Sequence, residues 1–176
     1  MSRPTSLRQM YRLIRVLNPD NSVPEPDSDF ILWAIDPGET TGVACFYGLE
    51  LKLYGQIKAT TPPEAGTRLR NHLLDNAHHT QRPSVVVSES YRPFAHKIQQ
   101  HIGNPLFTPQ VIGALKLITS MANIPHVEQA PHQAKGFMKD ERLKEWSLWL
   151  PGKQHARDAI RHACYYYLFD TNHIWT

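Results

Sequence analysis

The 176 residues suit a single domain, and a hydrophobic fraction of 41% is enough to build a core. The formal net charge is only +3, but the pI near 8.9 and the ten histidines lean basic, which mildly favours an anionic partner. No apolar run approaches the roughly 18 residues of a membrane span, and no signal peptide opens the chain. Cys45 and Cys164 lack metal-ligand or redox spacing, which predicts reduced, buried thiols. We therefore expect a soluble, cytoplasmic protein with no membrane partner.

The chain is predicted to begin with a helix over residues 5–17, where apolar side chains recur at intervals of three and four. Residues 18–29 are polar, acidic and interrupted by prolines, which indicates a linker. The sequence therefore predicts an appended helix (1–17), a Pro-rich acidic linker (18–29) and a main domain (30–176).

The main domain alternates between strand and helix patterns. Strands are predicted at 30–35, 43–47, 51–58, 84–89 and 125–129, and helices at 64–79, 109–122, 131–146 and 154–169. The β-branched run at 84–89 is continuous rather than alternating, as a buried central strand should be. The order βββαβαβα without a repeat predicts an α/β fold, with a mixed five-stranded sheet and helices on both faces.

A single carboxylate, Asp36, ends the first apolar strand, just before a Pro-Gly turn with two hydroxyls. Two arrangements use an acid at this place. One coordinates divalent metal for phosphodiester chemistry, and the other is the phosphate-binding first turn of sugar kinases and actin. The second needs two such domains and a further glycine-rich turn, which 176 residues do not supply.

Further candidate residues follow later in the chain. Glu89 closes the buried strand 84–89, and the carboxyl ends of neighbouring parallel strands meet at one edge of a sheet. His155 and Asp158 stand three residues apart, so they share a face near the start of the last helix. The sequence therefore predicts that Asp36, Glu89, His155 and Asp158 converge.

The motif Asp36-Pro-Gly-x-Thr-Thr-Gly, the strand-final Glu89 and the late His155-x-x-Asp158 together resemble the RuvC-type Holliday junction resolvases. That family belongs to the ribonuclease H-like fold, and the resemblance covers residues 31–169. It implies that Asp36, Glu89, His155 and Asp158 are the catalytic residues; some members of the family carry an acid at the position of His155. The added N-terminal helix on a compact chain would suit a bacteriophage version.

Phosphodiester hydrolysis explains why such a set is needed. Two divalent ions roughly 3.5–4 Å apart can activate water and stabilise the leaving oxygen. Mg²⁺ prefers carboxylate oxygens, and Mn²⁺, which tolerates imidazole, is expected to substitute. We expect Asp36 to bridge both ions, Glu89 to hold one, and Asp158 with His155 to hold the other. His155 could instead contact the scissile phosphate or transfer a proton.

Several residues are candidates for DNA binding. The resemblance implies that Lys135, four residues after Pro131, lies beside the scissile phosphate; a solvated helix lysine is the alternative. The segment after Glu89 interleaves aromatic residues with cations, which suits unstacked bases and phosphates: Tyr91, Arg92, Phe94, His96 and Lys97. Tyr91 or Phe94 could enter the centre of a junction or be buried in the core. Arg161 could reach the phosphate backbone, and the first helix could dock on its own domain, on a dimer mate or on DNA.

The sequence thus predicts a metal-dependent, structure-selective endodeoxyribonuclease that resolves branched DNA by paired nicks. Because a four-way junction has two equivalent strands to cut, a two-fold homodimer is expected, and the helix 109–122 is either core or dimer interface. Two alternatives stay open. One is another ribonuclease H-like nuclease, of the flap or packaging-terminase type, and the other is an inert junction-binding module.

Overall fold

The computed structural model of the chain describes residues 4–17, 24–75, 82–91 and 106–170. Its elements in chain order are α1 (Leu7–Leu17), β1 (Ile31–Asp36), β2 (Thr40–Tyr47), β3 (Glu50–Lys58), α2 (Pro62–Leu74), β4 (Val85–Glu89), α3 (Phe107–Met121), β5 (His126–Gln129), α4 (Pro131–Phe137), α5 (Asp140–Glu145), α6 (Gln154–Tyr165) and a π-helical turn (Tyr166–Asp170).

The five strands form one mixed sheet in the order β3-β2-β1-β4-β5. β1 pairs antiparallel with β2, which pairs antiparallel with β3. On the other side, β1, β4 and β5 run parallel. The predicted α/β fold with a mixed five-stranded sheet is therefore confirmed, and the central position of β1 and β4 explains their continuous apolar sequences.

Each face of the sheet carries its own hydrophobic core. On β1, Leu32 and Ala34 face the core shared with α1 and α6, whereas Ile31, Trp33 and Ile35 face the core shared with α2 and α3. Small side chains on α6 that are fully buried let this helix lie close to the sheet: Ala156, Ala159 and Ala163. The alternation places Asp36 on the same face as Leu32 and Ala34, beneath α6.

The N-terminal helix packs on the main domain. Leu7 and Tyr11 of α1 are buried in the core on the α6 side. The hydroxyl of Tyr11 donates to the carbonyl of Pro24 (3.0 Å), and the indole Nε1 of Trp146 donates to the carbonyl of Pro4 (3.2 Å). The helix therefore docks on its own chain, while the division of the chain at residues 17 and 30 stays a prediction.

Several predicted elements differ from the structure in their bounds, and two of these differences have a clear physical cause. β2 begins at Thr40 rather than at residue 43, because Thr40–Gly42 continue the ladder with β3. The helix predicted over 131–146 is two helices, interrupted at Met138, whose side chain is fully buried and whose backbone is not helical (φ −96°, ψ 71°). Packing of Met138 into the core therefore overrides the local helical pattern.

Both cysteines are buried and free, as predicted. Within the described ranges, no helix is long and apolar enough to cross a membrane.

Candidate active site

Asp36 and Glu89 lie side by side at one edge of the sheet. The parallel pairing of β1 with β4 sets Ile35 opposite Ser88, so the next residue of each strand is a carboxylate. The turn after Asp36 is held by the hydroxyl of Thr41, which donates to the carbonyl of Gly38 (2.8 Å) and accepts its N–H (3.3 Å). This hydroxyl therefore stabilises the turn that ends β1.

The first turn of α6 lies directly over this edge. His155 Nδ1 is 2.8 Å from Asp36 Oδ2, and Asp158 lies almost one turn further along the helix. The approach depends on Gly42, which pairs with Asp36 across β1 and β2. A Cβ at Gly42 would lie 1.9 Å from the carbonyl oxygen of His155. Glycine is thus required here for close packing rather than for a turn.

Arg157 fastens the start of α6 from its other side. Its Nη1 donates to the carbonyl of Leu150 (2.6 Å), and its guanidinium carbon lies 4.2 Å from the centre of the Trp149 ring. Cation–π contacts of this kind favour a fixed arrangement of both side chains. These contacts therefore fix the start of α6 relative to the segment 149–150 that precedes it.

Lys135 supplies a cation among the carboxylates. It lies on α4, which begins directly after β5 with Pro131 in its first turn. Its Nζ is 2.8 Å from Glu89 Oε2 and 3.7 Å from Asp158 Oδ2. The structure therefore brings together Asp36, Glu89, Lys135, His155 and Asp158, from β1, β4, α4 and α6.

Arg161 is buried rather than exposed. Its guanidinium donates to the carboxylates of Asp158 and Asp140, and its Nε donates to the carbonyl of Met138 (2.8 Å). The DNA contact proposed for Arg161 stays a prediction, but in this structure the side chain fixes Asp158. The buried Met138 that interrupts the predicted helix provides one of its acceptors.

His162 is a site residue that sequence reasoning missed. It is fully buried, with Nε2 3.1 Å from Glu89 Oε2 and Nδ1 2.7 Å from the amide oxygen of Gln129. The signal was present, because His162 follows Asp158 by four residues and so shares its helix face. Gln129 likewise closes β5 as Glu89 closes β4.

Burial and polar partners shift the pKa values of Asp36 and Glu89 in opposite directions. The pKa of Asp36 is raised to about 6, chiefly by burial; the hydrogen bond with His155 opposes this rise, and the charges of Glu89 and Asp158 add to it. Burial also acts to raise the pKa of Glu89, but hydrogen bonds from His162 and Lys135 outweigh it, so that this pKa is lowered. Of these two carboxylates, Asp36 is therefore the one whose charge is less well compensated.

In the part of the chain that the structure describes, no three His, Cys, Asp or Glu side chains form a ready-made metal cage. Asp36 is paired with His155, Glu89 with Lys135, and Asp158 with Arg161. The donor set still fits hard divalent ions, since three carboxylates and one imidazole share one edge and a cation already lies between two of them. A metal ion bound there would compensate the negative charges of Glu89 and Asp158, as the ammonium group of Lys135 does in this structure.

Of the remaining DNA-binding candidates, Tyr91 is half-buried two residues beyond Glu89. Arg92, Phe94 and Lys97 lie outside the described residues, as does His96.

No protein-family model and no curated protein sequence matches the chain. Among solved structures, T. thermophilus RuvC in complex with a Holliday junction substrate has a TM-score of 0.62 at 18% identity, over 82% of this chain and 97% of that chain. A second Thermus thermophilus RuvC structure has a TM-score of 0.60 at 20% identity, over 81% and 96%. The yeast mitochondrial Holliday junction resolvase Ydc2 has a TM-score of 0.47 at 11% identity, over 96% and 95%.

The likeness to the two RuvC structures defines the class: the chain has the ribonuclease H-like fold. Within that class, its fold is similar to that of RuvC over nearly the whole RuvC chain, which confirms at the level of the fold the resemblance seen in the sequence motifs.

Proposed function

We propose that this protein is a metal-dependent endodeoxyribonuclease that resolves Holliday junctions and similar branched DNA. One observation carries the proposal: Asp36, Glu89 and Asp158 meet at the carboxyl edge of the parallel strands, with His155 and Lys135 beside them. They occur on a fold shared with a RuvC that was solved with a Holliday junction substrate.

The three carboxylates and His155 are the residues that would hold the metal. Two Mg²⁺ ions would be held by Asp36, Glu89, Asp158 and His155. Bound there, they would activate water and stabilise the leaving oxygen. Mn²⁺ is expected to substitute, because it accepts the imidazole nitrogen of His155.

The side chains around these ligands have roles of their own. Lys135, half-exposed beside Glu89, would contact the non-bridging oxygens of the scissile phosphate and compensate the charge that develops there. Arg161 orients Asp158, and His162 orients Glu89. Both are buried, so they hold the carboxylates without contacting solvent.

A two-fold dimer matches the two equivalent strands of a four-way junction. The outer face of α3 supports it, because Leu117 and Met121 are 61% and 78% exposed on one side of the helix. Leu106, just before the helix, is also exposed. The double change Leu117→Glu and Met121→Glu should therefore convert the dimer into monomers in sedimentation experiments. A sedimentation coefficient unaffected by this change would refute the interface.

The decisive experiment incubates the protein with a synthetic four-way junction, a flap and a linear duplex, each with Mg²⁺, Mn²⁺ or EDTA. We expect symmetric nicks that are confined to the junction and need a metal. Asp36→Asn and Glu89→Gln should abolish cleavage but keep junction binding, while Asp29→Asn, an exposed carboxylate before β1, serves as the control. Digestion of all three substrates would indicate a less selective nuclease, and binding without cleavage by the unmodified protein would indicate an inert junction-binding module.

A further inference from the structure

The edge that carries Asp36 and Glu89 continues across all five strands. Gly42 pairs with both Asp36 and Gln56, and Glu89 pairs with Gln129. From β3 to β5, the row therefore reads Gln56, Gly42, Asp36, Glu89 and Gln129. Residues in register on neighbouring strands point to the same face, so the side chains of the row lie beneath α6.

Gln56 binds the beginning of α6. Its side-chain oxygen accepts the backbone N–H of His155 at 3.2 Å. The first N–H groups of a helix have no partner within the helix, and the N-cap residue Lys153 makes no capping hydrogen bond with its side chain. Gln56 thus caps α6 from a different element, at the residue whose ring contacts Asp36.

Gln129 binds the same helix two turns later. Its amide nitrogen donates to Asp170 Oδ2 (2.7 Å), so its oxygen faces His162 Nδ1 (2.7 Å) and accepts that N–H. The other ring nitrogen of His162 is thereby directed to Glu89 Oε2 (3.1 Å). Asp170 lies in the π-helical turn that continues α6, so Gln129 holds both this turn and the helix.

We infer that Gln56 and Gln129 are positioning residues, which fix α6 along the sheet edge so that His155 meets Asp36 and His162 holds Glu89. A helix on a sheet can slide or rotate about one contact. Two contacts at His155 and His162, about 10 Å apart along the helix, prevent both movements. A neutral amide does this without adding charge to the carboxylates. The inference rests on the proposed nuclease function.

The test compares Gln56→Ala and Gln129→Ala with Gln9→Ala, an exposed glutamine on α1 remote from the site. We expect each of the first two changes to lower kcat on a four-way junction by roughly 10- to 100-fold, as losses of supporting hydrogen bonds do. KM should stay within about twofold, because phosphate contacts are unaffected. Gln56→Glu keeps an acceptor oxygen at the same place, so it should restore the hydrogen bond to the His155 amide, whereas the charge that it adds near Asp36 should keep kcat below that of the unmodified protein. Gln9→Ala should leave both constants unchanged.

A second measurement needs neither DNA nor metal. In Gln56→Ala, the backbone amide of His155 should exchange its hydrogen faster and shift in the ¹H–¹⁵N spectrum, and Gln56→Glu should reverse this. In Gln129→Ala, the Nδ1–H signal of His162 should be lost. Gln56 is only half-buried, so its variants keep the core intact if Gln129→Ala does not fold.

The outcomes separate this inference from the proposed function. If the unmodified protein cleaves junctions but Gln56→Ala keeps its kcat and its amide spectrum, the positioning role is wrong and the nuclease stands. A loss of kcat that only follows the folded fraction would also overturn it. If the unmodified protein cuts no junction, the proposed function fails, and with it the catalytic role of Gln56 and Gln129, whatever the spectra show.

Discussion

Replacing Asp36 by Asn should stabilise the metal-free protein at neutral and alkaline pH. Burial and the nearby charges of Glu89 and Asp158 raise the pKa of Asp36 from 3.8 to about 6. The folded protein therefore binds this proton more tightly than the unfolded chain, and the stability that the group contributes is full below pH 3.8 and lost as the pH rises through about 6. Each factor of ten in proton affinity is worth about 1.4 kcal/mol, so ionised Asp36 opposes folding by about 3 kcal/mol.

Asparagine has the same shape and can still accept a hydrogen bond from His155, but it carries no charge. We expect Asp36→Asn to be about 3 kcal/mol more stable than the unmodified protein at pH 8 in EDTA, and of equal stability near pH 3.5. Urea unfolding across this range measures the difference at each pH, with Asp29→Asn as the exposed control. If Asp36→Asn has no advantage at pH 8, or one that persists undiminished at low pH, the reasoning about this carboxylate is wrong.

Three further predictions concern single residues. Lys135→Ala should slow junction cleavage about 100-fold with the fold intact, since it removes the cation beside Glu89. Lys52→Ala, on the surface of β3, should leave the rate unchanged. If the two variants cleave at the same rate, Lys135 does not contact the phosphate. Gly42→Ala should lower the free energy of unfolding by about 3 kcal/mol and abolish cleavage, because its Cβ would lie 1.9 Å from the His155 carbonyl oxygen. Gly55→Ala is the control, since a Cβ there would make only an ordinary contact of 3.6 Å with Val43. A stable and active Gly42→Ala protein would refute the close approach. Leu7→Ala should lower the free energy of unfolding in urea by about 3 kcal/mol without changing kcat of the folded protein. If the stability is unaltered, α1 does not contribute to the core.

The fold could be predicted because its sequence pattern and its topology agree. The apolar runs of β1 and β4 mark buried parallel strands, and the carboxylate that ends each run marks the shared edge. The break at Met138 could not be predicted, since no proline lies between 131 and 146 to interrupt the helix. It arises from burial of Met138 and from the bond between its carbonyl and Arg161, which are tertiary contacts.

The candidate site was predictable in its charged residues but not in what supports them. Asp36, Glu89, His155 and Asp158 stand at strand ends or at helical spacing, where sequence position determines placement. The supporting residue Gln56 lies inside a predicted strand and carries no local signal. Gly42 looks like part of the turn after Asp36, and only the register of β2 and the path of α6 show its role.

The stacking of Arg157 on Trp149 provides an optical probe of the site. Arg157 is two residues from His155, so any displacement of the first turn of α6 changes the surroundings of an indole ring. Tryptophan emission responds to such changes within nanoseconds, and comparison with Trp149→Phe would separate the signal of this ring from those of the other three tryptophans. A change in this signal on addition of DNA or divalent ions would report a displacement of the first turn of α6 without any attached label.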